Sequence, residues 1–235
     1  MRAALSGVPR FIGTARVAKH RLWVYIQQPV VPDSQVVAVA RADDTTFGIL
    51  HSRFHELWSL GMCTWMGVGN DPRYTTSTCF DTFPFPTGLT PADTAHQRTK
   101  ALDGGARIPA DLPAAVRAHA EAIARAAQRL VTLRDAWLNP PEWTERVPEV
   151  TPLGLATSPY PDRIVARPGF EKELAKRTLT NLYNQRPAWL AQAHAALDRA
   201  VATAYGWSED PATLSDDEIL RRLLGVNRER AAGSA

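Results

Sequence analysis

Residues 179–207, LTNLYNQRPAWLAQAHAALDRAVATAYGW, decide how this chain is read. Pro187 suits a first helical turn, because its fixed φ is helical and its missing N–H has no partner there. Apolar residues then recur at Leu190, Ala193, Leu197, Val201 and Ala204, one face of a 3.6-residue period, and Gly206 is placed to stop the helix. Downstream, Ser215-Asp216-Asp217-Glu218 is a capping box with an acidic first turn, followed by Ile219, Leu220, Leu223 and Leu224. The tail from Arg228 is expected to fray. Upstream, a helix is expected near Phe170, and the proline-rich stretch 140–169 reads as an irregular connection.

Further upstream lies a second long helix. Val116, Ile123, Leu130 and Trp137 recur every seven residues, with Ala120, Ala127 and Leu133 filling the stripe. Asp111 is its expected N-cap, Glu121 and Arg125 an i,i+4 pair on its outer face, and Asn139-Pro140-Pro141 its end. Residues 87–110, with Asp103-Gly104-Gly105, read as a linker or peripheral loop. Before them the pattern changes. Residues 21–27 alternate Leu22, Val24 and Ile26 against Trp23 and Tyr25, a strand covered on both faces. Residues 36–39 read as a second strand, and 49–60 as a helix with Phe54, Leu57 and Trp58 on one side and Gly61 as its stop. The fold class expected is therefore α+β: a mixed α/β part over 1–86, a linker over 87–110 and a mostly α-helical part over 111–235, with 10–86 and 111–231 as distinct packing units.

Composition sets bounds but names no partner. The chain has 235 residues, 45% hydrophobic and 22% charged, with 27 Lys and Arg against 24 Asp and Glu. That balance is weakly basic, far from a histone-like polycation, and most of the cations are Arg, suited to bidentate contacts with phosphate or guanine. Two cysteines, Cys63 and Cys79, cannot build a secreted-type disulfide framework. No apolar run approaches the roughly 20 residues of a membrane span, and the N-terminus has none long enough for a signal peptide. The expected location is the cytoplasm, with no membrane partner.

Particular residues carry a resemblance. The Leu182-Tyr183-Asn184 and Ala204-Tyr205-Gly206-Trp207 flanks of the opening stretch resemble the C-terminal helical segment of MmeI-like DNA methyltransferases, single-chain restriction-modification and defence enzymes that methylate adenine. Residues 10–86 resemble the latter half of their target-recognition domain. The matching pieces are 10–12 (RFI), 17–21 (VAKHR), 50–58 (LHSRFHELW) and 73–86 (RYTTSTCFDTFPFP). The resemblance implies double-stranded DNA as a partner. It also implies methylation of adenine N6 by a Rossmann-like domain that binds S-adenosylmethionine and lies upstream of these parts in the family. The chain is accordingly expected to be a split subunit or remnant that holds no cofactor, is inactive alone and works with a separately encoded catalytic methyltransferase chain.

The base-reading surface implied is the segment 64–77, with Trp65, Asn70, Arg73, Tyr74, Thr75 and Thr76 as candidate DNA contacts. Those types bond base edges and phosphates; composition alone reads the same stretch as a polar turn. Lys19, His20 and Arg21 form a basic cluster, equally a phosphate contact or a solvated strand entry. Three other constellations read as structural. Asn139-Pro140-Pro141-Glu142 has Glu where amino-methylating enzymes carry an aromatic that stacks on the flipped base, so it reads as a helix stop. His51, His55, Cys63 and Cys79 lack a tight knuckle spacing, so no metal is expected. Asp162, Glu173 and Lys176 lack the strand setting of a metal nuclease, leaving Glu173 and Lys176 as a solvated i,i+3 pair. A second reading stays open: a helical interaction module that binds a protein through the Val116–Trp137 stripe and has lost its DNA surface.

Overall fold

The computed structural model describes residues 2–66 and 71–233. The elements run α1 (Arg2–Leu5), β1 (Arg10–Ala15), β2 (Val24–Gln27), β3 (Val36–Val39), α2 (Asp44–His51) and α3 (Arg53–Met62). The hairpin β4 (Thr64–Met66) and β5 (Asp71–Arg73) follows, then β6 (Thr99–Ala101), β7 (Arg107–Pro109) and α4 (Ala114–Leu138). The chain closes with β8 (Thr144–Val147), β9 (Arg163–Ala166), α5 (Glu171–Leu174), α6 (Leu179–Gln185), α7 (Ala188–Ala204) and α8 (Asp216–Gly233). This is the α+β arrangement expected, with sheet structure early and long helices late.

Strand alternation sorts the sheet residues between two cores. The antiparallel sheet has the order β2-β1-β3, and its register sets Ile12 beside Tyr25 and Val39, with Thr14 opposite Val37. That face joins the main core with Trp23, Phe47 and Phe54. The opposite face carries Phe11, Ile26 and Ala38, packed with Leu5, Val8 and Ala42 as a small second core.

The main core does not stop at residue 86. It runs unbroken from Ile12 through Ile108, Ile123, Leu130 and Leu197 to Leu223. Helix α4 lies against α2 on one side and α7 on the other. They meet at Gly48, where an added Cβ would come 2.6 Å from Ile123 Cγ2 and 3.1 Å from both Ala127 Cβ and Leu197 Cδ1. Only a residue without a side chain permits that approach. Polar ties repeat the theme: Thr45 Oγ1 donates to Ala120 O at 2.9 Å, Asn227 Nδ2 to Thr82 O at 2.9 Å, and Tyr205 Oη to Pro84 O at 2.9 Å. The expectation of two distinct packing units is corrected: the two segments bury one another. Residues 87–110 also form no tether, since Leu89, Ala106 and Ile108 are buried and β6 pairs with β7 across the turn at Gly104 and Gly105.

Local readings shift for local reasons. The helix expected at 49–60 is two helices broken at Ser52. Buried Asp43 caps α2, its Oδ1 accepting from Thr46 N at 2.6 Å, and Asp198 accepts from Arg53 N at 2.9 Å to cap α3. Gly61 lies inside α3, and Cys63 is the C-cap. Helix α4 starts after Pro113, while Asp111 adopts a φ of 58° and pairs with Arg98. On its outer face Arg125 Nη1 donates to Asp103 O at 2.8 Å. The strand expected at 21–27 begins at Val24, because Arg21 and Trp23 are drawn into the core. The irregular stretch 140–169 holds the β8–β9 hairpin. The tail does not fray at Arg228, since α8 continues to Gly233 with Arg230 Nη2 donating to Phe85 O at 2.5 Å. Helix α7 begins directly after Pro187, and Gly206 turns away at φ 76°. Among the described residues no helix is long and apolar enough to cross a membrane.

Candidate nucleic-acid interface

The β4–β5 hairpin is a short ribbon with a rigid root. Its register pairs Thr64 with Arg73, Trp65 with Pro72 and Met66 with Asp71. The root is Tyr74, 1% exposed, set edge-on against Trp23 at 5.4 Å between ring centroids. Tyr74 N donates to Arg16 O at 2.8 Å, and Arg73 bridges Val17, so the second strand is stitched to the chain leaving β1. Arg21, also buried, donates to Pro72 O at 3.1 Å and Thr14 Oγ1 at 3.1 Å and bonds Ala15 O. Its guanidinium stands 5.0 Å from the centre of the Tyr74 ring.

A neutral histidine fixes the phenol behind this ribbon. His55 Nδ1 lies 3.0 Å from Leu50 O, which only accepts, so Nδ1 carries the proton and donates. Nε2 is then the acceptor for the Tyr74 hydroxyl at 3.0 Å. Burial drives the His55 pKa down to about 3, so the ring stays neutral at physiological pH. Burial likewise pushes the Tyr74 pKa up and lowers that of Arg21.

The candidate contacts therefore divide. Trp65, 52% exposed, Arg73, half-buried, and Thr76, exposed, stand on or beside the ribbon. Thr75 is half-buried and leads into a five-residue π-turn, Thr76–Phe80. Tyr74 and Arg21 are corrected from reading residues to framework, because both are buried with their polar atoms engaged inside the protein. Asn70 lies outside the described residues. Lys19 is exposed but tied elsewhere: its Nζ and His20 Nε2 both bond Asn184 Oδ1 at 2.9 Å, on α6. The sequence reading missed Met62 and Met66, 41% and 43% exposed, which flank Trp65. Three large apolar side chains within five residues at a helix end, Met62, Trp65 and Met66, were the available signal.

The other constellations are engaged by protein groups. His51 Nδ1 accepts from Trp23 N at 3.2 Å, so its Nε2–H points to Tyr183 Oη at 3.0 Å, which in turn donates to His194 Nε2 at 2.9 Å. Burial, reinforced by Arg134, holds His51 well below its usual pKa; burial, with Arg186 and Arg134, takes His194 to about 4. Cys63 Sγ bonds Leu60 O and Cys79 Sγ bonds Ser59 O. Among the described residues no three His, Cys, Asp or Glu gather as metal ligands. At the tetrapeptide, Asn139 N closes α4 on Asp135 O, while Pro140 O accepts from both Trp143 N and Thr144 Oγ1. Glu142 is exposed. The Pro140 carbonyl is thus spent on the helix end. Lys176 and Glu173 form the exposed pair expected, at 2.9 Å.

Residues 15–87 match the family model described as MmeI, target recognition domain. Among solved structures, the fold is similar to that of the type IIL restriction-modification enzyme MmeI in complex with DNA, with a TM-score of 0.56 and 15% identity. That match covers 95% of this chain and 21% of the other, so the chain spans about a fifth of the length of the enzyme it resembles. No curated protein matches the chain. The MmeI resemblance read from the sequence is thus shown, by the family model over β2, β3, α2, α3 and the ribbon, and by similarity of fold over nearly the whole chain.

Proposed function

We propose that this chain is the DNA-reading and C-terminal portion of an MmeI-like, adenine-specific (N6) DNA methyltransferase of a restriction-modification or phage-defence system. In this reading it holds double-stranded DNA in register while a separate catalytic part, which binds S-adenosylmethionine, methylates a flipped adenine. The observation that carries the reading is the β4–β5 ribbon. It lies inside the matched segment, presents Arg73 and Trp65 on a root locked by Arg21, Tyr74 and His55, and has the width of an element that a major groove admits. Preorganisation matters because a base-reading side chain must be held in place before the duplex arrives.

The rival reading, a helical interaction module using the Val116–Trp137 stripe, loses its surface. Ile123 and Leu130 are fully buried, and the Arg177 guanidinium sits 4.5 Å from the centre of the Trp137 ring. Fluorescence anisotropy with a labelled duplex, titrated at several salt concentrations, tests the proposal. Affinity that falls with a linear log–log salt slope is expected. No binding at low salt, alone or with a catalytic chain of this family supplied, would sink it.

A further inference from the structure

Eleven large hydrophobic side chains are exposed among the described residues, and three of them, Met62, Trp65 and Met66, fall within five positions at the end of α3 and on β4. A polar contact loop has no need of them. An exposed tryptophan normally finds an apolar partner for its ring. The register sets Trp65 on the face of the ribbon shared with Pro72, and Thr64, Met66, Asp71 and Arg73 on the other. Each face of the ribbon thus presents a different chemistry. One offers a guanidinium, a hydroxyl and a carboxylate, with the Met66 thioether beside them; the other offers an indole.

Resting on the DNA-binding reading above, we propose that Trp65 is a specificity-determining residue that packs against the C5-methyl groups of thymine in the major groove. The occupant follows from the chemistry of the ribbon. Arg73 stands on the other face of the same two strands, and the exposed hydroxyls of Thr76 and Ser77 follow it in the chain, so the ribbon as a whole suits a polyanion. The thymine methyl is the one apolar group that the major-groove edge of a base pair displays. The Arg21 guanidinium anchors Pro72, and the strand pairing sets Trp65 opposite it, so the indole is carried beside an anchored strand.

The test begins with selection of the preferred duplex from a randomised pool. That duplex is then remade with uracil in place of thymine, which removes only the methyl groups. The wild-type chain is expected to bind the uracil duplex about fourfold more weakly for each methyl contacted, the factor that corresponds to burying one methyl group. Trp65→Ala is expected to bind the thymine duplex with that lower affinity and to ignore the replacement, while Trp65→Phe keeps part of the preference. Thermal melts confirm that the variants fold, as half-exposure of the side chain leads one to expect. Duplex binding by the wild type with no loss on uracil overturns the assignment of Trp65 and leaves DNA reading intact. A Trp65→Ala change that abolishes self-association and leaves DNA affinity unaltered likewise overturns the assignment of Trp65 alone, whereas failure to bind any duplex overturns both.

Discussion

Tyr74 Oη and His55 Nε2 lie 3.0 Å apart in a site closed to solvent, and the tautomer of the histidine makes the phenol the donor. The link ties the root of the ribbon to α3. Tyr74→Phe leaves the ring contacts in place and strands a buried acceptor, a loss of about 1–3 kcal/mol. Chemical denaturation should show that drop, with DNA affinity near wild type wherever the variant is folded. A larger loss of affinity than of stability would place the hydroxyl on the reading surface.

Arg73 is the cation on the ribbon itself. If it reads a base edge, Arg73→Ala costs about 1–3 kcal/mol and relaxes preference at one position of the site. If it meets phosphate alone, the loss is uniform across sequences and the salt slope falls by about one. A variant unchanged in both quantities would show that the duplex does not approach this hairpin.

The closeness of three helices at Gly48 makes a single methyl group costly. Gly48→Ala gains about 1 kcal/mol of helix propensity but overpacks against Ile123, Ala127 and Leu197, at about 1–3 kcal/mol. A net lowering of Tm is expected, and because α2 and α4 lie on either side of residues 87–110 and share one core, near-ultraviolet signals from both should be lost in one transition. Two separate transitions would contradict the shared core.

Asp198 is buried and its pKa is raised to about 6, burial being the largest cause. Its folded pKa lies above its unfolded one, near 3.9, so the ionised carboxylate is a burden above about pH 6 that is relieved as pH falls toward 4. Asp198→Asn keeps an acceptor for Arg53 N and removes the charge. Relative to wild type it should be best at pH 7 to 8, and its Tm advantage should shrink as pH is lowered through 6 to 4. His55 and His194, with pKa values driven down to about 3 and about 4, act oppositely and make both proteins less stable over the same interval. An advantage that grows on acidification would contradict the raised pKa.

Limited proteolysis reports on the connections. The segment between β8 and β9 exposes Val150, Leu153 and Leu155, whereas 87–110 is pinned by buried Leu89 and Ile108. First cleavage is therefore expected within 148–162. Earlier cutting between Thr87 and Ala110 would restore the picture of two units on a tether.

Several elements were legible because their signals are local. Residues 36–39 form the strand expected, α7 follows its apolar period from Pro187 to the Gly206 turn, and the α4 stripe is buried at Ile123 and Leu130. The Ser215 cap also forms, Glu218 N donating to its hydroxyl at 3.2 Å. What escaped depends on distant partners. The break at Ser52 needs Asp198, and the late start of β2 needs Trp23 N on His51 and Arg134 on Trp23 O. Of the candidate site, the location of the ribbon was readable, but not the roles of Tyr74 and Arg21. Residues that contact DNA and residues that brace them share a composition, and only burial separates them.

The C-terminal helix reaches back to the recognition segment, with Asn227 bonded to Thr82 O and Arg230 to Phe85 O. That contact limits how such a chain can be recombined with its relatives. Exchanging residues 15–87 wholesale would sever the floor beneath them and leave α8 facing a foreign surface. Specificity is portable only at a smaller scale, by grafting residues 64–73 onto a root that already carries the counterparts of Arg21, His55 and Tyr74.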